Sequence, residues 1–133
     1  MELKCNICGE CYDVFISFGG QRIGRPKCLS FERHRRFKDM YDKYLSLEFS
    51  FENKEILACV PGTPELEYFF CGANRVISFD VRPVSWFDLQ MDITNMKKIE
   101  DQSFDVFVAI AVMQHVEKDY LVPAEIYRVL RPG

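Results

Sequence analysis

The stretch Ser103-Phe-Asp-Val-Phe-Val-Ala-Ile-Ala-Val-Met-Gln-His-Val116 decides the fold of this chain. Its central run, Val106 to Val112, is apolar without interruption and is followed by the polar pair Gln114-His115. An apolar run of this length without alternation predicts a strand that is buried on both faces. Such strands belong to parallel sheets whose two faces are covered by helices. The stretch therefore indicates an α/β fold.

A second segment, Glu125-Ile-Tyr-Arg-Val-Leu-Arg-Pro-Gly133, predicts a helix that packs on such a sheet. Three apolar positions, Ile126, Val129 and Leu130, fall at helical spacing and form one face. The pair Pro132-Gly133 ends the helix and prepares a turn.

Residues 55–133 as a whole predict one parallel sheet. Strands are expected at Glu55–Val60, Arg75–Asp80 and Trp86–Met91, ahead of the strand over Val106–Val112. Thr63-Pro64-Glu65 has the capping residue, the proline and the early acid of a helix start, so a helix is expected between the first two strands. Strands alternating with helices favour parallel pairing through right-handed crossovers.

The two C-terminal stretches resemble the fourth strand and following helix of class I S-adenosylmethionine (SAM)-dependent methyltransferases, which read close to S-F-D-V-V-x-x-x-x-V-L-E-H-V and E-I-x-R-V-L-K-P-G-G. The resemblance implies a partial Rossmann-like sheet, SAM as cofactor, and methyl transfer to a small-molecule or glycan acceptor. Sheets of this family continue for several strands beyond this point. The chain is therefore expected to be a C-terminally truncated domain, whose open sheet edge is covered by a second copy or another partner.

The resemblance also implies the residues of a cofactor site, because ligands of open α/β sheets bind beyond the carboxyl ends of the strands. Asp80 ends the second strand, where nucleotide-binding sheets place a carboxylate that accepts hydrogen bonds from the ribose hydroxyls. In the family, Asp92 would reach the adenine amino group, Ile93 would cover the ring, and Ala109 would lie beneath the cofactor. Turn formation by the two aspartates and core packing by the apolar residues are the alternatives.

The first loop departs from the family pattern of an acidic residue and a G-x-G turn. In Ala58-Cys-Val-Pro-Gly62 only Gly62 remains of the glycines, and Pro61 has no backbone donor. The segment is similar to the glycine-poor A-P-E-x-x-L turn of a methyltransferase type 11-like subset that has an N-terminal cysteine module. Gly62 therefore joins the predicted cofactor residues. His115 is interpreted as structural, and no catalytic base is assigned.

The N-terminal cysteines predict a zinc-ribbon-like module. Cys5-x-x-Cys8-Gly9 is half of a zinc site, since two thiolates on a tight turn present adjacent corners of a tetrahedron. The resembling subset completes the site from C-P-x-C-G-S-L-E-R-H-R, whose counterpart here begins Arg25-Pro-Lys-Cys28, so that Arg25 replaces one ligand. Zinc bound by Cys5, Cys8 and Cys28 is one hypothesis and a metal-free remnant is the other. Cys11 and His34 are the alternatives for a fourth ligand.

Three segments are expected along the 133 residues: the cysteine module at 1–30, a connecting helix at 31–54 capped by Ser30, and the N-terminal part of a SAM-binding domain at 55–133. Cys59 and Cys71 are expected to be buried. The absence of a long apolar run and of a secretory signal predicts a cytoplasmic protein without a membrane segment.

Partners follow from the charge pattern and from the resemblance. The stretch 22–38 holds seven basic residues against Glu32 alone, which is more often a solvated helix face than a nucleic-acid surface, so nucleic acid is not expected. The leading hypothesis is a SAM-dependent methyltransferase, and the activity of this truncated chain is left open. The alternative is a non-catalytic relic or zinc-ribbon interaction module that retains half of the methyltransferase fold.

Overall fold

A computed structural model of the protein describes residues 3–12, 17–18, 21–22 and 27–133. The chain divides into an N-terminal unit, Met1–Ser50 with Gly62–Cys71, and a C-terminal unit, Phe51–Pro61 with Gly72–Gly133. Within the described ranges, every helix is too short or too polar to cross a lipid bilayer.

Two small hairpins begin the N-terminal unit. Strand β1 (Leu3–Lys4) pairs antiparallel with β2 (Cys11–Tyr12), and β3 (Ser17–Phe18) pairs antiparallel with β4 (Gln21–Arg22). Between β1 and β2 the chain turns at Gly9, whose φ of 76° lies in the left-handed region that glycine adopts without strain.

Helix α1 (Glu32–Met40) follows and continues as the π-helical segment Tyr41–Leu45. The expected Ser30 cap is wrong, because the N-cap residue is Phe31 and its N–H donates to His34 Nδ1 at 2.9 Å. The Ser30 side chain instead faces the cysteine cluster. A second π-helical segment, Glu65–Phe69, belongs to the same unit, and the Phe69 ring packs 5.2 Å from the Phe37 ring.

The C-terminal unit contains the predicted parallel sheet. Strands β5 (Glu55–Cys59), β6 (Arg75–Asp80), β7 (Leu89–Gln90) and β8 (Val106–Val108) are all parallel and lie in the order β7-β6-β5-β8. This confirms the α/β fold with a partial Rossmann-like sheet.

Two strands are shorter than expected. Strand β7 begins only at Leu89, because the Asp88 carboxylate accepts the Ser78 backbone N–H at 2.7 Å and its hydroxyl at 2.6 Å, in the place of a ladder partner. Strand β8 ends at Val108, and its residues are half-buried instead of buried on both faces. The chain then turns through Ala111, whose φ is 58°.

Helix α2 (Val122–Val129) packs on the sheet, but it begins earlier than expected and ends before Leu130, which is extended and not part of the helical face. Its buried residues Val122 and Val129 join Leu57 of β5 and Phe79 of β6 in one hydrophobic core. After the helix, Leu130 forms a parallel bridge with Phe104, which precedes β8.

Candidate functional site

The carboxyl edge of the sheet holds four of the five residues predicted to bind cofactor. Asp80 is the last residue of β6, Asp92 and Ile93 follow β7, and Ala109 follows β8 directly. Because all four strands are parallel, these positions lie at one edge. Gly62, the fifth, belongs to the N-terminal unit.

Asp80 and Asp92 both act electrostatically on Cys59, the last residue of β5. Burial, together with the negative charges of the two aspartates, raises the pKa of the Cys59 thiol to about 12. Cys59 is only 5% exposed. The two carboxylates therefore both act on the thiol at the carboxyl end of β5.

Asp80 is a buried carboxylate held by Arg82. Its two oxygens accept four hydrogen bonds from this one residue: the backbone N–H and Nε donate to Oδ1 at 2.9 and 3.2 Å, and Nε and Nη2 donate to Oδ2 at 3.0 and 2.5 Å. The hydrogen bonds from the Arg82 side chain hold the pKa of Asp80 below its usual value, against the opposing effect of burial. Asp80 is therefore ionised at neutral pH.

Arg82 is a residue of the site that the sequence reasoning missed. A carboxylate followed two residues later by arginine, as in Asp80-Val-Arg82, is the signal that would have found it. Side chains two residues apart point to the same side of an extended chain, so they can pair when the strand ends between them.

Asp92 and Ile93 also have structural roles. Asp92 Oδ1 accepts the backbone N–H and the hydroxyl of Thr94, both at 2.8 Å, and so closes a local turn. The Asp92 residue itself is exposed. Ile93 is 6% exposed and belongs to the hydrophobic core.

Left-handed backbone occurs at or near the ends of the adjacent strands β5 and β8, as it also does at Leu29, Asn53 and Gln102. Val60, directly after β5, has a φ of 51°, which is an outlier for a β-branched residue. Ala111, shortly after β8, has a φ of 58°. Ala109 lies between β8 and this turn and packs half-buried against the core. Strained backbone of this kind is common at binding sites.

Gly62 is engaged within the N-terminal unit. Its N–H donates to Glu65 Oε2 at 3.0 Å, and a Cβ added at Gly62 would come within 3.0 Å of the same oxygen. The other carboxylate oxygen of Glu65 lies 3.1 Å from His34 Nε2, although the ring N–H is not aligned for a hydrogen bond. Both side chains are almost completely buried. The sequence reasoning had seen Glu65 only as an early acid of a helix.

The cysteine cluster of the N-terminal unit has the geometry of a metal site. The sulfur atoms of Cys5, Cys8 and Cys28 all lie within 4.8 Å of one another, and Cys5 Sγ is 3.9 Å from Cys28 Sγ. Zn–S bonds of about 2.3 Å at tetrahedral angles place two sulfurs roughly 3.8 Å apart. The Cys5–Cys28 distance matches this spacing, and the three thiols are close enough together to hold a metal ion.

Neighbouring groups shift the pKa values of the thiols in this cluster. Burial opposes ionisation of Cys5, but the backbone N–H groups of Cys8 and Ile7 and the Ser30 hydroxyl overcome it, so that the pKa of Cys5 is lowered. Burial raises the pKa of Cys28. Ser30 Oγ lies 3.7 Å from Cys5 Sγ, and Arg35 Nη1 donates to the Ser30 carbonyl at 2.8 Å and to its hydroxyl at 3.3 Å.

Neither predicted fourth ligand joins the cluster in the described part of the chain. His34 uses Nδ1 to accept the Phe31 N–H and directs Nε2 toward Glu65. Cys11 is exposed and lies outside the group of mutually close ligand atoms.

All six cysteines are described and none forms a disulfide. Cys59 is buried as expected, whereas the expectation for Cys71 is wrong, because it lies exposed in a turn.

Comparison with known proteins gives one match. The sequence model of a family described as a methyltransferase domain matches residues 63–133, which is just over half of the chain. No curated protein and no solved structure gives a significant match. The matched range contains β6, β7, β8 and α2, and with them Asp80, Asp92, Ile93 and Ala109.

Proposed function

Because the chain belongs to the methyltransferase-domain family, we propose that it binds SAM beyond the carboxyl ends of its parallel strands and transfers the methyl group to a small-molecule or glycan acceptor. The observation that carries the proposal is Asp80. This carboxylate ends the second strand, is 2% exposed, and stays ionised at neutral pH. A buried anion at this edge of an α/β sheet is the acceptor that a ribose diol requires.

The residues of the chain contribute binding and orientation. Asp80 would accept the ribose hydroxyls, Asp92 would accept the adenine amino group, and Ile93 and Ala109 would provide apolar surface beneath the ring. When bound, SAM supplies the methyl group of its sulfonium. Methyl transfer depends on positioning the acceptor and on excluding water. Since burial raises the pKa of Cys59 to about 12, its thiol stays protonated and does not compete as a nucleophile.

Calorimetric titration with SAM tests the proposal. We expect the wild-type chain to bind, and Asp80→Ala to weaken binding about 10- to 100-fold, because charged hydrogen bonds to the ribose are lost. Asp119→Ala, which removes an exposed carboxylate elsewhere in the same unit, is the matched control and should bind like the wild type. Absence of binding by the wild type would favour the alternative, a non-catalytic interaction module that keeps the fold.

We also propose that Cys5, Cys8 and Cys28 hold a zinc ion that stabilises the N-terminal unit. The support is the match of the Cys5–Cys28 distance to tetrahedral spacing, the closeness of the three sulfurs and the lowered pKa of Cys5, because zinc is bound by thiolates. Metal analysis of the purified protein should find one zinc per chain. Cys28→Ser should lose it, while Cys71→Ser, which alters an exposed cysteine, should keep it.

We include a cytoplasmic location in the proposal, because Cys5, Cys8 and Cys28 are grouped as metal ligands would be, and thiols persist in reducing compartments. Strand β8 lies at an edge of the described sheet, and we propose that a second copy of the chain or another partner covers it. Fluorescence microscopy of the tagged chain checks the location. Analytical ultracentrifugation checks self-association, and a monomer at micromolar concentration would exclude the second copy.

A further inference from the structure

Arg82 occupies both oxygens of the Asp80 carboxylate. A carboxylate has about four lone-pair positions, two on each oxygen. In this structure Oδ1 accepts the backbone N–H and Nε of Arg82, and Oδ2 accepts Nε and Nη2. Three N–H groups of Arg82 thus contact both oxygens, with the single Nε hydrogen shared between them.

The exposures of the two side chains show from which side Asp80 can be reached. The Asp80 side chain is 3% exposed, whereas the Arg82 side chain is 66% exposed. The guanidinium thus lies on the solvent side of the carboxylate. A ligand hydroxyl that approaches Asp80 from solvent meets this guanidinium first.

We propose that Arg82 competes with the cofactor for Asp80, so that the guanidinium must leave the carboxylate before the ribose diol of SAM can bind it. This inference rests on the proposed function. Arg82 is then a positioning residue that lowers the affinity for SAM by occupying the carboxylate when the cofactor is absent. The apparent dissociation constant is raised by the inverse of the fraction of molecules in which Arg82 has moved away.

The same contact explains why the unliganded protein tolerates a buried carboxylate. An ionised group without partners is costly to bury, and Arg82 supplies partners until a ligand does. Because the arginine is largely exposed, its ion pair is weakened by solvent and can be exchanged. Displacement by a ligand that satisfies the same oxygens is therefore feasible.

The test compares SAM binding by the wild type, Arg82→Ala and Arg82→Lys. We expect Arg82→Ala to bind SAM about 3- to 10-fold more tightly, with faster association in stopped-flow measurements. Lysine provides a single ammonium in place of the planar fork that spans both oxygens, so Arg82→Lys should bind with intermediate affinity. Arg75→Ala is the matched control, since Arg75 stands at the opposite end of β6 and pairs with Glu55. Its affinity should equal that of the wild type.

A second measurement separates competition from a structural role. Arg82→Ala removes the side-chain hydrogen bonds to Asp80 and keeps the one from the backbone N–H of residue 82. The unliganded variant should therefore unfold at a lower urea concentration while it binds SAM more tightly. A merely structural Arg82 would lower stability and affinity together.

The outcomes distinguish this inference from the proposed function. Equal or weaker binding by Arg82→Ala, with wild-type binding that depends on Asp80, overturns the competition and leaves the proposed function standing. If neither the wild type nor Arg82→Ala binds SAM, the proposed function fails and the competition fails with it.

Discussion

Glu125 and Arg128, one turn apart in α2, together bind both backbone polar groups of Met96. The Glu125 carboxylate accepts the Met96 N–H, and Arg128 Nη2 donates to the Met96 carbonyl at 2.9 Å. Arg128 also donates to the Ile99 carbonyl at 2.8 Å and to Asp101 at 2.6 Å. The helix is thereby fastened to the loop that precedes β8.

Replacing Arg128 should destabilise the C-terminal unit. We expect Arg128→Met to lower the free energy of unfolding by about 2 kcal/mol, because charged hydrogen bonds to two buried carbonyls are lost. Urea denaturation followed by circular dichroism measures the change. Lys118→Met, which alters an exposed cation, should change stability little. An unchanged midpoint for Arg128→Met would contradict this role of the network.

The pairing of Asp80 with Arg82 should make stability depend on pH. Arg82 lowers the pKa of Asp80 in the folded state, so the contribution of Asp80 is complete above the unfolded pKa of about 3.9 and is lost as pH falls through the lower folded value. We expect Asp80→Asn to flatten the decrease in unfolding free energy below about pH 4. Urea unfolding at a series of pH values measures this slope, and Asp119→Asn should retain the wild-type slope.

The strained turn after β8 should be relieved by glycine. Ala111 is exposed and has a φ of 58°, so Ala111→Gly removes a Cβ that is disfavoured in this conformation without uncovering the core. We expect stabilisation by about 0.5–1 kcal/mol. The same change in α2, Ala124→Gly, should instead destabilise by about 1 kcal/mol, because glycine is a poor helix former. Thermal unfolding of both variants measures the two signs, and equal signs would exclude strain at Ala111.

Two cysteines should differ in reactivity toward iodoacetamide. Burial and the charges of Asp80 and Asp92 raise the pKa of Cys59 to about 12, so that at about pH 8 only roughly 1 in 10,000 thiols is ionised. Cys71 is exposed and should be alkylated quickly. Peptide mass spectrometry at successive times resolves the two sites. Equal rates would mean that Cys59 is accessible and unperturbed.

Ser30 should strengthen metal binding through its contact with Cys5. The hydroxyl lies 3.7 Å from Cys5 Sγ and is itself fixed by Arg35, as groups surrounding a metal ligand often are. We expect Ser30→Ala to weaken zinc affinity about 10-fold in a chelator competition. Ser46→Ala, at a serine whose hydroxyl bonds only a helix carbonyl, is the control. Unchanged affinity for Ser30→Ala would exclude this support.

The contacts explain why the fold could be predicted better than the site. In the C-terminal motif, Glu125 and Arg128 fasten α2, and Arg131 binds Glu55 and Asp105 at the amino ends of the strands. These charged residues stabilise the fold, so their presence in a sequence indicates the fold independently of the reaction that the protein performs. The alternation of apolar strands and helices along the sequence predicted the parallel sheet, and with it the position of Asp80 at the end of the second strand of that sheet.

What escaped prediction depends on single side chains. The Asp88 carboxylate shortens β7 by binding Ser78, Ser30 turns toward Cys5 instead of capping α1, and Arg82 closes over Asp80. Such contacts have no periodicity along the sequence. They become visible only when the distances between side chains are known.

The bond between Arg131 and Glu55 also bears on how the chain reaches its native state. It joins residues 76 positions apart, so the amino end of β5 is bound by the segment that follows α2. Native structure built on contacts so distant in sequence forms slowly, since a long loop must close first. During synthesis β5 is made before α2, whose Val122 and Val129 join Leu57 in the core, so the apolar side chains of β5 stay exposed until that helix has formed.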